Sequence, residues 1–285
     1  MATFKTSERF SPSLAQYRTS RDLVDWPAFF RCFEAIALVA NSAATDLDQH
    51  VGACPPNTLF IFFNDVTRVI RDRFDRHAVL VARSGLNGSA IVRKNKIDGL
   101  VNRFDPERFQ GVINLRTLAI EQFDPPESLV AFTFARLDLI EFFARTYPAG
   151  KTPSSGFAVA VWLQTMALER TIFIIGFTGM RTERRRVFDS HDWTFEQTAL
   201  RLMARKGRLI VQARDHLAAE DGLARIQETI PDASLEEIAM VAAEVLSDRV
   251  NNLSHFIDRL WTVTRVSRWI SAALAFVTGR TQDRR

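Results

Sequence analysis

The sequence has few residues that could hold a fold together covalently or through a metal ion. Only two of its 285 residues are cysteines, Cys32 and Cys54, which argues against a disulfide framework and suits a reducing compartment. The five histidines are scattered, and none stands in a His-x3-His or Cys-x2-Cys arrangement. The spacing of Asp189, Asp192 and Glu196 is not diagnostic of a carboxylate-bound metal either, so we expect no metal site.

Long apolar runs and common nucleotide-binding fingerprints are also missing. No stretch approaches the roughly 18 to 20 consecutive apolar residues of a transmembrane helix. Met1–Tyr17 is polar and lacks the apolar core of a signal peptide, which predicts a cytoplasmic protein. The glycine pattern G-x-G-x-x-G, a Walker sequence and a Gly-x-Ser-x-Gly elbow are absent, which disfavours a dinucleotide-dependent oxidoreductase.

The composition is that of a globular protein with a full hydrophobic core. Hydrophobic residues make up 47% and charged residues 25% of the chain. A net charge of +4 suits a phosphate-bearing ligand or an anionic membrane surface and does not by itself indicate nucleic acid. We predict an N-terminal arm with a short helix (1–34), an α/β domain (35–211) and a helical C-terminal region (212–285).

The α/β prediction rests on short apolar runs that alternate with helical patterns. The predicted strands are Ala35–Ala40, Thr58–Phe63, His77–Ala82, Val112–Leu115, Thr171–Phe177 and Arg208–Val211. The predicted helices are Trp26–Glu34, Ser128–Tyr147, Phe157–Leu168 and Thr194–Ala204. Strands that alternate with helices favour a parallel sheet covered on both faces.

Polar residues follow two of the predicted strands. Asn41 and Ser42 come after the first strand, and Asn64 comes after the second. Open α/β sheets bind ligands at the carboxyl ends of their strands, and amide and hydroxyl donors stabilise a phosphate leaving group without a cation. The alternative is that both asparagines are turn residues. The polar loop from Arg83 to Gly88 is a further candidate lining of a nucleotide pocket.

A second group of candidate residues surrounds the apolar helix. The turn Ser154-Ser155-Gly156 precedes this helix, and a glycine there would let the backbone approach a ligand closely. His191 and Glu196 lie past the strand that follows. A histidine is suited to take a proton from a hydroxyl near neutral pH, although it could also be an ordinary loop residue. Asp192 or Glu196 could orient it or buttress the loop.

These residues, taken together, resemble the sialyltransferase superfamily. The Ser-Gly turn, the apolar helix and a strand ending in Gly-Phe are similar to the small sialylmotif, and the spacing of His191 and Glu196 is that of the very short motif. Asn41 and Asn64 match the two asparagines of the large sialylmotif, although the glycine before the first asparagine is Ala40 here. The resemblance covers roughly residues 35 to 196.

The resemblance implies a Rossmann-like sheet, as a GT-A-like sialyltransferase variant, and an inverting transfer of a 2-keto sugar acid from a CMP-activated donor to a hydroxyl. Neither a metal nor a cofactor is required. His191 and Glu196 would be catalytic. The donor would be held by the residues Asn41, Ser42, Asn64, Ser154, Ser155 and Gly156.

The animal enzymes carry a disulfide that links the large and small motifs. This disulfide is missing here, since no cysteine follows Cys54. This favours a bacterial-type member, for which both sialic acid and Kdo are possible sugars and a lipopolysaccharide or capsule glycan is the expected acceptor. The sequence leaves the sugar, the acceptor, the linkage and the oligomeric state open. A non-catalytic nucleotide-binding or scaffold protein on the same fold is the alternative.

The C-terminal region carries an amphipathic pattern. Residues 252–278 combine tryptophans and arginines with apolar residues, and a basic tail follows at Arg280–Arg285. Such a pattern is typical of a helix on a membrane surface, which predicts peripheral contact with the inner membrane. The alternatives are a helix packed on the domain and an oligomer contact.

Overall fold

The computed structural model describes most of the chain between residues 24 and 212. The described residues are 14, 24–41, 47–84, 97–125, 129, 133–177, 190–212, 234–237, 239–241, 243–244, 246–247, 250, 253–254 and 257. The chain divides into two compact units, residues 1–213 and residues 214–285. The predicted site residue Ser42 and the loop 85–88 lie outside the described residues.

Seven strands form one parallel sheet in the described part of the first unit. The strands are β1 (Ala35–Val39), β2 (Thr58–Phe63), β3 (Ala78–Arg83), β4 (Phe109–Arg116), β5 (Phe134–Asp138), β6 (Thr171–Ile175) and β7 (Ile210–Gln212). The helices are α1 (Trp26–Arg31), α2 (Leu47–Gly52), α3 (Ile97–Val101), α4 (Ile140–Ala144), α5 (Ser155–Gln164) and α6 (Trp193–Arg205), with a 3-10 turn at Val66–Arg68. The strand order is β5-β4-β3-β2-β1-β6-β7.

The central strands are buried on both faces. Every residue of β1, β2 and β3 is buried. Because successive side chains of a strand point to opposite faces, these strands contribute to two hydrophobic cores. Leu38 and Ile61 face a core shared with α1, α4, α5 and α6, whereas Ala37 and Phe60 face a core shared with α2 and α3. The prediction of a parallel sheet with helices on both faces is confirmed.

The chain changes direction across the sheet at β1. Strands β2 to β5 follow one another on one side of β1, whereas β6 and β7 lie on the other side. Strands β1 and β6 stay hydrogen-bonded to their carboxyl ends, where the Ala40 N–H donates to the Ile175 carbonyl at 2.8 Å. The helix that follows β1, α2, and the helix that follows β6, α6, pack on opposite faces of the sheet. Such a divergence opens the crevice in which open α/β sheets bind ligands.

The predicted helix Ser128–Tyr147 is wrong. The described part of this segment forms the strand β5 and then the short helix α4. The apolar residues spaced by four that suggested a helix are Ala135, Leu139, Phe143 and Tyr147. Ala135, Leu137 and Leu139 also alternate with period two, which places all three in the core beside β4. Two periodicities overlap here, and pairing with β4 decides between them.

The described part of the second unit is helical. At its start Ser234 Oγ accepts the Glu237 N–H at 3.1 Å, and Glu237 Oε2 accepts the Ser234 N–H at 2.8 Å. This reciprocal pair is a capping box, the arrangement typical of a serine followed three residues later by a glutamate at a helix start. Of the segment 252–285, the structure describes Leu253, Ser254 and Ile257 alone, so the membrane-surface prediction lies almost wholly outside the described residues. None of the described helices is both long enough and apolar enough to cross a membrane.

Candidate functional site

The two predicted asparagines lie at the carboxyl ends of neighbouring strands. Asn41 follows β1 and is half-buried. Asn64 follows β2 in the left-handed conformation, with φ of +51°, a conformation that asparagine tolerates better than most residues. Its side-chain Oδ1 accepts the Arg83 N–H at 3.0 Å, so this oxygen joins β2 to the end of β3. The amide Nδ2 is the group of Asn64 that can donate to a ligand.

The turn before α5 is held by a buried carboxylate. Ser154 is the N-cap of α5, and its Oγ accepts the Phe157 N–H at 3.3 Å. Glu196, on the first turn of α6, is only 2% exposed. Its two oxygens accept the Ser154 N–H at 2.7 Å and the Ser154 hydroxyl at 2.6 Å. Glu196 therefore acts as a buttress of this turn.

Tyr147 shares that carboxylate. Its hydroxyl donates to Glu196 Oε1 at 2.8 Å and accepts the Asp192 N–H at 3.1 Å. Burial, together with the adjacent Glu196 carboxylate, raises the pKa of the Tyr147 phenol well above its ordinary value, because both disfavour the phenolate. The sequence analysis did not single out Tyr147, and no motif in the sequence would have indicated it.

His191 lies directly before α6 and contacts the same turn. Its Nδ1 is 2.6 Å from the Thr152 carbonyl oxygen. Because a carbonyl oxygen can only accept, Nδ1 carries the proton, and in the neutral ring Nε2 is then the basic nitrogen. The Thr152 N–H donates to the Ser190 carbonyl at 2.7 Å, which closes a second link between the two loops. The ring also packs edge-on against Trp193, with centroids 5.1 Å apart.

Asp192 and Glu196 are the two carboxylates that the sequence offers for orienting His191 or buttressing the loop. The Asp192 carboxylate accepts the Phe195 N–H at 2.9 Å and is the N-cap of α6. The Thr152 carbonyl takes the orienting role instead. An aspartate near a helix start can cap the helix or accept a hydrogen bond from a histidine, so the sequence alone does not separate the two roles.

Gly156 makes room for a side chain of the protein. A Cβ at this position would lie 2.2 Å from Cε1 of Phe177. The Phe177 ring, just past β6, also packs edge-on against Phe63 with centroids 6.2 Å apart. Packing against Phe177 is thus a reason for glycine at this position, beside the predicted approach of its backbone to a ligand. Ser155 beside it is buried.

Arg83 lies within β3, and its guanidinium is buried at the centre of this edge of the sheet. Nε donates to Glu121 Oε1 at 2.7 Å, one terminal nitrogen donates to the Pro153 carbonyl at 2.5 Å, and the other donates to Thr117 Oγ1. Glu121 Oε2 also accepts the Thr117 N–H at 2.8 Å. These three bonds and an exposed fraction of 6% make Arg83 part of the internal framework of this edge. Residues 85–88 of the loop predicted to line a nucleotide pocket lie outside the described residues.

A shallow groove of about 450 Å³ runs along α6, beginning at the residue after His191. Its lining is mostly apolar and consists of Asp192, Thr194, Phe195, Thr198, Ala199 and Leu202. No group of three or more metal-binding side chains is present among the residues that the structure describes.

Comparisons with models of protein families, with curated proteins and with solved structures give no match.

The contact between Gly156 and Phe177 predicts that a methyl group added at Gly156 destabilises the fold only while the Phe177 ring is present. We expect Gly156→Ala to lower the free energy of unfolding by about 1–3 kcal/mol, because the ring has to move. In a Phe177→Ala background the same change should be neutral or stabilising, since alanine favours helices over glycine. Gly99→Ala, where no atom lies within 4 Å, is the matched control and should not destabilise. Urea unfolding measures the free energy of unfolding of each variant. An equal destabilisation by Gly156→Ala in the wild type and in Phe177→Ala would contradict the contact.

The Tyr147 environment predicts a loss of stability in alkaline solution. In the unfolded chain the phenol titrates near pH 10, whereas in the folded chain its pKa is higher. The stabilisation is thus complete below about pH 10 and is lost as the pH rises further. Tyr147→Phe should remove this component of the pH dependence of unfolding. A Tyr17→Phe variant leaves Tyr147 as the remaining tyrosine. Phenolate absorbance appearing near pH 10 in that folded variant would contradict the prediction.

Proposed function

We propose that the chain is an inverting glycosyltransferase of sialyltransferase type on a Rossmann-like, GT-A-like fold. It transfers a 2-keto sugar acid, sialic acid or Kdo, from a CMP-activated donor to a hydroxyl of a cell-envelope glycan. The observation that carries the proposal is the hydrogen bond from His191 Nδ1 to the Thr152 carbonyl at 2.6 Å. This bond leaves Nε2 as the basic nitrogen of a histidine beside the turn that starts α5.

The donor's nucleotide is assigned to the carboxyl ends of β1 and β2. Asn41 and Asn64 lie on that edge of the sheet, next to the point at β1 where the strand order reverses. Neutral amide donors suit a phosphate that gains charge as the glycosidic bond breaks. The two N–H groups at Ser155 and Gly156, in the first turn of α5, are also neutral donors, and the amino end of a helix favours an anion.

The acceptor's hydroxyl is assigned to the side of His191. A hydroxyl is a weak nucleophile, and a base that takes its proton as the new bond forms speeds the transfer. The proton passes to His191 Nε2, and CMP leaves with the electron pair of the broken bond. The groove along α6 begins next to this histidine and supports an approach of the acceptor from there.

Nucleotide binding is the first test. We expect CMP to bind in calorimetry without added metal, and Asn64→Asp to weaken it about 10- to 100-fold. Aspartate keeps the oxygen that accepts the Arg83 N–H, but it replaces the Nδ2 donor with a charge that repels phosphate. Asn102→Asp makes the same chemical change at an exposed position and should leave the affinity unchanged. Absence of CMP binding to the wild type would overturn the proposal.

Replacement of the base is the second test. His191→Gln should lower acceptor-dependent CMP release about 10²- to 10⁴-fold while CMP affinity stays within about threefold. CMP-Neu5Ac and CMP-Kdo are the donors, with galactose-terminated and Kdo-terminated oligosaccharides as acceptors.

His77→Gln is the matched control, because this histidine precedes β3 at the opposite edge of the sheet. CMP binding without turnover of either donor, unaffected by His191→Gln, would favour the non-catalytic nucleotide-binding alternative.

A further inference from the structure

One peptide unit of the site is held at both ends by opposite charges. The Pro153 carbonyl oxygen accepts a hydrogen bond from the Arg83 guanidinium at 2.5 Å. The Ser154 N–H of the same planar unit donates to the Glu196 carboxylate at 2.7 Å. A cation therefore meets the negative end of the peptide dipole and an anion meets its positive end. Charge-assisted hydrogen bonds of this kind are about twice as strong as neutral ones.

The Arg83 guanidinium is itself held in place by a buried carboxylate. Arg83 is 6% exposed and Glu121 is 8% exposed, and the pair is bonded at 2.7 Å. Thr117 and Leu118 both donate their N–H groups to Glu121 Oε2, at 2.8 and 3.1 Å. The loop after β4 thus fixes the carboxylate, and the carboxylate fixes the guanidinium.

Stability alone does not explain a buried pair of this kind. Buried ion pairs can often be replaced by apolar residues of similar volume at little or no cost in stability. What an arginine adds is geometry, because its planar guanidinium directs donors to several partners at fixed angles. Here Arg83, at the end of β3, has partners in two segments that are distant in sequence: the loop after β4 and the turn before α5.

The turn held by Arg83 also carries the partner of His191. Thr152, whose carbonyl accepts the Nδ1–H of His191, directly precedes Pro153. The proline ring fixes φ at that residue, so a displacement of the peptide after it is transmitted to the carbonyl before it.

We propose that Arg83 is a positioning residue that, through the turn Thr152–Ser154, holds His191 with its proton on Nδ1, so that Nε2 is the nitrogen that takes the acceptor's proton. The structural part of this inference concerns the tautomer and stands by itself. Its consequence for the reaction rests on the glycosyltransferase function proposed above.

Two variants separate positioning from stability. Arg83→Lys keeps the charge beside Glu121, but a single ammonium cannot reproduce the fork that reaches Pro153 and Thr117. The double variant Arg83→Met with Glu121→Met removes both charges, so neither is left buried alone. Arg76→Lys is the matched control, because Arg76 donates to the carbonyls of Pro55 and Pro56 before β2, at the opposite edge of the sheet.

The first readout is independent of any substrate. Long-range ¹⁵N–¹H spectra of imidazole-labelled full-length protein report the tautomer of each histidine, and the His191→Gln spectrum assigns the signals of His191. We expect the Nδ1–H tautomer in the wild type and in Arg76→Lys, and a mixture of tautomers in both variants at the Arg83 site. An unchanged tautomer in both of these variants, with only a lower Tm, would overturn the inference.

The second readout is kinetic. We expect acceptor-dependent kcat to fall about 10- to 100-fold in the Arg83 variants, as misplacement of a catalytic group by about 1 Å can do, while CMP affinity changes less than about threefold. An equal loss in Arg76→Lys would contradict a specific role. Wild-type protein that fails to bind CMP would refute the proposed function, and the tautomer spectra would still decide the role of Arg83.

Discussion

Burial of the central strands on both faces is the constraint on which the rest of this structure depends. Every residue of β1, β2 and β3 is buried, and the two hydrophobic cores occupy both sides of the sheet. Polar chemistry is thereby confined to the ends of the strands. The described polar residues that follow β1, β2 and β3 therefore collect along the carboxyl edge of the sheet.

Hydrogen bonds along that edge form a continuous chain. Asn64 accepts from the backbone of Arg83, Arg83 reaches the Pro153 carbonyl, and the next N–H reaches Glu196. Thr152, next to this peptide, accepts from His191. A series of hydrogen bonds therefore links the residues predicted to bind the nucleotide to the predicted base. Polar groups held in place before the reaction are the condition for a preorganised site.

Much of the fold follows from local patterns, and the errors are instructive. Thr58–Phe63 is a strand from end to end as predicted, because a short β-branched and aromatic run suits no other element of this sheet. The segment that became β5 and α4 satisfied two periodicities at once, and pairing with β4 decided the outcome. The contact of Gly156 with the ring of Phe177 joins residues that no local pattern connects.

The sequence by itself determined where six of the seven strands of the described sheet run and which polar residues follow them, since burial and backbone period are properties of neighbours in the chain. It also placed His191 and Glu196 at the start of one helix. Only the tertiary structure decided that Arg83 bonds Pro153, 70 residues away, and that Thr152 holds the imidazole. A buried charge takes whatever partners the packing brings within about 3 Å, and no local pattern encodes that choice.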